Sequence, residues 1–189
     1  RPAPDSSKGD RRKILFGGAG GGAHVNPKES PCREALADPS RTVLGADQER
    51  WFDGALAESR AAWNLIAQDV MINAIIEGTA ESPRVFTDSW GGYPPARERF
   101  FAALLKHRAA NPVVLTGDIH SFWACELATA AGRPVGVELV GSSIATTTYD
   151  KSEFLPLNPG VKWHDGVHNG YVRCELTRDG RLPALAWPD

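Results

Sequence analysis

The chain has 189 residues, 42 % of them hydrophobic and 23 % charged, with a formal net charge of -2. That balance describes a single globular domain with a sizeable core and excludes an intrinsically disordered chain. There is no basic face for nucleic-acid phosphates and no run near the ~20 apolar residues of a membrane span, so neither nucleic acid nor a bilayer is an expected partner.

Residues 1–40 read as an irregular segment or loop. Pro, Gly, Ser and charged residues dominate, and "GGAGGGAHV" from Gly17 is too glycine-rich to pack unaided. A phosphate-binding loop does not account for these glycines, because GKS/GKT and GxGxxG are missing. From residue 41 the texture changes. Trp51, Phe52, Ala55 and Leu56 recur at helical spacing, with Gln48 and Glu49 in a first turn, and predict a short amphipathic helix. The dense apolar run from Trp63 to Ile72 predicts a buried strand, and Arg84 to Thr87 a brief one that breaks at Trp90-Gly91-Gly92. Pro94 and Pro95 suit the first turn of a second helix whose inner stripe is Phe100, Phe101, Leu104 and Leu105. "PVVLTG" is the next strand, so residues 63–117 spell strand, helix, strand, a crossover packed on a sheet. Beyond His120 come "SFWACELA", "RPVGVELVGSSI", "GYVRCELT" and "LPALAWP", divided by turn signals, which make a β-rich final third.

Chemistry concentrates at "VVLTGDIH", where an apolar strand ends in Gly-Asp-x-His. Positions i and i+2 of an extended chain lie on one side, Gly117 lets the backbone turn, and functional groups of α/β sheets gather beyond the carboxyl ends of strands. Asp118 and His120 are therefore either two metal ligands or a turn-capping Asp beside a hydrogen-bonded His; the spacing alone leaves both readings open. His164, Asp165 and His168 fit a solvated hairpin turn better than an H-x-x-x-H helix, because Gly166 and Asn169-Gly170 interrupt them. His107 sits at a helix C-terminus as a dipole partner, and His24 is assigned nothing. Ser142 and Ser143 lack a G-x-S-x-G elbow. Three cysteines form neither a disulfide framework nor a CxxC metal site; Cys125 and Cys174 read as buried fillers, with a bridge between them left open.

Five segments, in order, resemble the PhoD-like alkaline phosphatases and phosphodiesterases of the calcineurin-like metallophosphoesterase superfamily. They are "RTVLGADQERWFDGALAESRAAWNLIAQDVM", "DSWGGYPPARERFFAALL", "NPVVLTGDIHSFWACEL", "VELVGSSI" and "NPGVKWHDGVHNGYVRCEL". The resemblance covers the family's C-terminal half, so residues 41–189 are identified as that half of a PhoD-like domain. It implies an α/β fold, part of a four-layer α/β/β/α sandwich, and hydrolysis of phosphate monoesters, diesters or both. It also implies iron and calcium as cofactors, other divalent metals being compatible, and a secreted or periplasmic location. By resemblance Asp118 and His120 contact metal, with Asp118 where the wider superfamily carries a histidine. Gln68 falls where that superfamily places a metal-binding histidine. Asp88 and Trp90 match a D-x-W motif and, with Trp123, are expected to wall the substrate cleft. The family's W-D-G-Y is altered, Gly91 replacing the Asp. Residues 1–40 match none of the remaining metal ligands, so the resemblance implies a companion chain carrying the N-terminal half, with Cys32 available to pair with it. The rival reading is a non-catalytic secreted binding module that keeps half the fold.

Overall fold

The computed structural model describes residues 23–177 together with the backbone of 185–186. The order is β1 (His24–Val25), α1 (Cys32–Leu36), α2 (Ala46–Glu58), β2 (Asn64–Val70), β3 (Ile76–Gly78) and β4 (Pro83–Phe86), then α3 (Pro94–Lys106) and β5 (Pro112–Gly117). β6 (Phe122–Ala128), β7 (Pro134–Val140), β8 (Val161–Asp165), β9 (Arg173–Cys174) and β10 (Leu185–Ala186) follow. Short 3-10 turns occupy Trp90–Gly92 and Ser152–Leu157.

The main sheet has five strands in the order β2-β5-β7-β6-β8. β2 runs parallel to β5, so the predicted crossover through α3 is present. β5 and β7 are also parallel, and the later pairs are antiparallel. A small antiparallel sheet, β1-β4-β3, stands beyond it. Residues 23–40 are thus less irregular than the composition suggests. Val25, Ala35, Leu36 and Val85 share a satellite core that holds β1 and α1 against β4. The rest of the Gly-rich run lies outside the described residues.

The main core forms where α2 and α3 cover one face of the sheet. Phe52 and Leu56 of α2 meet Phe100, Phe101 and Leu104 of α3 over Val114 and Leu127, and Phe52 stacks on Phe100 with ring centroids 4.8 Å apart. The predicted stripe of α2 is narrower than expected, since Trp51 and Ala55 are exposed. Pro94 and Pro95 do open α3.

β2 departs from the buried strand the sequence predicts. Its residues alternate between half-buried and exposed, and Leu65 is 52 % exposed. The reason is position: β2 is a sheet edge with helices on one face only. Leu65 and Ala67 sit opposite Val113 and Leu115 in register, on the other, apolar face. That face is partly covered by Trp63, Trp163, Val172 and Cys174.

Candidate active site

The Gly-Asp-x-His segment does emerge from the carboxyl end of β5, but its backbone is not extended. Asp118 has φ +69° and His120 φ +57°, both in the left-handed region. The Ile119 amide donates to the Gly117 carbonyl at 2.9 Å, closing a three-residue turn centred on Asp118. Non-glycine residues held there cost on the order of 1 kcal/mol or more each and cluster at functional sites. The turn is therefore made by the two ligand-type residues themselves. Gly117 has no left-handed φ, and a Cβ on it would meet only the Gly141 carbonyl, at an ordinary 3.9 Å. This corrects the role given to that glycine.

Asp118 is exposed and has no hydrogen-bond or ion-pair partner among the described residues. His120 is oriented twice. Its ring stacks on Tyr149, centroids 5.5 Å apart and planes 10° from parallel. Its Nδ1 lies 3.1 Å from the Thr147 carbonyl oxygen. A carbonyl only accepts, so Nδ1 carries the proton and Nε2 keeps its lone pair, the arrangement in which imidazole binds a metal. No grouping of three or more His, Cys, Asp or Glu suited to a metal occurs among the described residues. Asp118 and His120 are an open carboxylate and a pre-set imidazole, which fit a metal but do not complete its shell.

Asp118 also lines a cleft of about 480 Å³ between the ends of β2 and β5, the small sheet and residues 149–154. Glu77, itself buried, holds two of its walls together: one carboxylate oxygen meets Lys151 Nζ, and the other lies 2.9 Å from His24 Nε2. Beneath the cleft, the Glu138 carboxylate is 0 % exposed. It accepts the Ile72 amide at 2.7 Å, the Asn73 amide at 2.8 Å and the Thr116 hydroxyl at 3.1 Å. Glu138 so ties the loop after β2 to the end of β5, two residues before Asp118. Burial pushes its carboxyl up to about 7, against the pull of those donors and of Arg97.

Other predicted residues lie elsewhere. Trp123 is 0 % and Trp90 1 % exposed, and neither lines the cleft beside Asp118; Trp90 and Gln68 share a smaller pocket under α2 instead. Trp123 donates to Ser121 Oγ at 2.8 Å and packs on His164, centroids 3.9 Å apart; Trp90 packs on Phe100. Gln68 is not brought to Asp118 and His120, because strand alternation turns it with Ile66 and Val70 toward the helices. There its Oε1 accepts the Asp69 amide. Asp88 is exposed on the turn after β4; its neighbour Ser89, not Asp88, lines the cleft.

His164 is not in a solvated turn. It lies in β8, with its side chain buried, and its Nδ1 is 3.0 Å from the Phe122 carbonyl while Nε2 accepts the Lys151 amide at 3.1 Å. The predicted turn begins one residue later, where Asp165 accepts the amides of Val167 and His168. His107 does cap α3, where its Nε2 lies 2.8 Å from Asp53. All three cysteines are free thiols. Motif reading misses Glu77, Tyr149 and Lys151, assigns nothing to His24 and reads His164 as part of a turn. They meet through long-range contacts that no local spacing marks.

Ligand-type residues held at a strand end beside a cleft stand where α/β sheets gather their functional groups. The PhoD-like phosphatase family matches residues 10–182, and the chain belongs to it. Alkaline phosphatase D of Bacillus subtilis (strain 168) is 36 % identical over 162 residues, which is 80 % of this chain and 28 % of that protein. A solved structure of PhoD superposes with a TM-score of 0.70 at 34 % identity, covering 80 % of this chain and 30 % of that one. The chain thus spans under a third of the length of these relatives.

Proposed function

We propose that the protein is a metal-dependent phosphoester hydrolase and that this chain supplies the Asp118–His120 part of its metal centre. The observation that carries the reading is the strained turn at the end of β5, which presents a free carboxylate next to an imidazole whose Nδ1 is already engaged. Membership of the PhoD-like phosphatases supports it. Asp118 and His120 would hold the metal, iron and calcium being the pair the family resemblance implies. The chemistry such a metal supplies is polarisation of phosphoryl oxygen and a fall in the pKa of bound water from 15.7 towards about 7. Tyr149 and the Thr147 carbonyl orient His120, and Glu138 fixes the strand end from which both ligands leave. No Ser or Cys nucleophile is required. Cys125 is buried, its thiol pushed up to about 12 first by burial and then by Glu138, which leaves it unreactive.

Two donors do not make a metal shell, so the family's N-terminal half, which this chain does not span, is the partner that supplies the other ligands. The exposed Leu65 and Ala67, on an apolar sheet face shared with Val113 and Leu115, support such a partner. A secreted or periplasmic setting is what the family resemblance implies; no described helix is long and apolar enough to cross a membrane.

Hydrolysis of p-nitrophenyl phosphate and its bis ester, with metal analysis of the native protein, tests the reading. Activity towards either ester, lost together with bound metal in Asp118→Asn and His120→Ala, is expected. Metal-free protein inert towards both favours a binding module instead. A Leu65→Glu variant that still co-purifies with an N-terminal partner at wild-type yield counts against the docking face.

A further inference from the structure

The cleft beside Asp118 has a chemistry of its own, which the metal ligands do not explain. Its walls are apolar: Met71, Ile75 and Ile119 on one side, Phe86 and Phe154 on the other. Apart from Asp118, which is left open for the metal, the charged groups among them are already engaged. Glu77 is shared between Lys151 and His24. Asp150 accepts the amide and hydroxyl of Ser152, which hold its carboxyl below the ordinary range.

The cleft is also built rather than left over. Buried Asn158 accepts the Ile76 amide at 2.8 Å and donates to the carbonyls of Ile76 and Phe154, both at 2.8 Å, pinning the Phe154 wall to β3. Buried His164 accepts the Lys151 amide and so fixes the neighbouring wall from below. A rigid apolar cavity of about 480 Å³ is of a size that encloses a small organic ligand.

We propose that this cleft takes the alcohol portion of the phosphate ester and selects an apolar, ring-bearing group over a small polyol. The proposal rests on the hydrolase reading and names the substrate class of that site. A polyol entering the cleft would give up its hydration to walls that are mostly apolar, whereas a ring would leave water for an apolar surface. Burying one ring in this way is worth about tenfold to a hundredfold in affinity.

The test compares 2-phenylethyl phosphate with glycerol 3-phosphate in the native protein. Both release aliphatic alcohols, so a difference reports recognition more than leaving-group chemistry. The expected result is a kcat/KM at least about tenfold higher for the phenylethyl ester, carried by KM. Phe154→Ala should reduce that preference about tenfold and Phe154→Leu by less. Phe154 is half-buried, and the Leu variant keeps the test open should the Ala variant fail to fold. Equal kcat/KM for the two esters, or a preference untouched by both variants, overturns the proposal. Should these two esters, p-nitrophenyl phosphate and its bis ester all go unhydrolysed, the hydrolase reading fails; whenever the two alkyl esters are inert, calorimetry with 2-phenylethylphosphonate against methylphosphonate decides the cleft. Tighter binding of the phenylethyl compound, weakened in Phe154→Leu, upholds the apolar subsite; equal binding overturns it.

Discussion

The ring of Tyr149 lies parallel to that of His120 at 5.5 Å, while the Thr147 carbonyl, two residues before Tyr149, meets the Nδ1 of the same histidine. One short segment therefore sets both the plane and the tautomer of a candidate ligand. Tyr149 is itself half exposed, so its removal should leave the core intact. Tyr149→Ala is expected to weaken metal retention about tenfold, and Tyr149→Phe to preserve it. Metal content after graded dialysis against chelator measures this. Identical retention by Tyr149→Ala and wild type would show that stacking does not orient His120.

Glu138 predicts a pH dependence of stability. Its carboxyl rises to about 7 in the fold because burial opposes the charge. Between its ordinary value of 4.5 and about 7 the folded protein binds the proton that the unfolded chain releases. Stability from this group is accordingly full below the unfolded value and is lost as pH rises through the folded one, by on the order of 3 kcal/mol. Thermal unfolding of wild type and Glu138→Gln across that range should show the wild type losing ground steadily from pH 4.5 to 7. Parallel curves would mean that Glu138 titrates normally. At all pH values Glu138→Leu should be less stable, because the amides of Ile72 and Asn73 lose their acceptor.

Trp123 separates a core role from a substrate role. It is a sealed residue of β6 that donates to Ser121 and packs on His164, so any added chain could only bury it further. Trp123→Ala should cost about 3–5 kcal/mol in unfolding free energy. Trp123→Phe, which keeps the ring but loses the Ser121 hydrogen bond, should cost about 1 kcal/mol and leave KM unchanged. A selective rise in KM with normal stability would restore Trp123 to the cleft wall.

The parts of the fold that were legible in the sequence are those specified locally. Pro94 and Pro95 announce α3, and the apolar run before Gly117 announces β5 and the strand end at which Asp118 stands. Alternation in β2 was hidden because Leu65 and Ala67 are as apolar as the residues facing the helices. β8 was hidden because Lys162, His164 and Asp165 carry polar labels, although Trp123 covers His164 and β6 pairs with the strand. For the same reason the cleft was illegible. His24, Glu77 and Lys151 are brought together from three distant segments by an ion pair and a histidine–carboxylate contact, and no spacing rule connects them. Trp90, through a family motif, and Trp123, through its nearness to His120, drew a substrate role, while their burial places both in the core.

Gly166 links this hidden geometry to the site. It ends β8 so close to the 149–150 segment that a Cβ would stand 2.3 Å from Asp150 Cα and 2.6 Å from the Tyr149 carbonyl oxygen. Both are backbone atoms, so an alanine side chain cannot be accommodated by a rotamer change; the segment carrying Tyr149 must move. That displacement would disturb the ring stacked on His120 and the Lys151 amide held by His164. Gly166→Ala should therefore lower unfolding free energy by about 1–3 kcal/mol and weaken metal retention together. Gly132→Ala is the matched control. It lies in an open turn with φ +77° and nothing within 4 Å of its Cβ, so it should cost about 1 kcal/mol of backbone strain without touching the metal. Equal metal retention in the two variants, measured at a temperature where both remain folded, would show that β8 does not position the 149–151 segment.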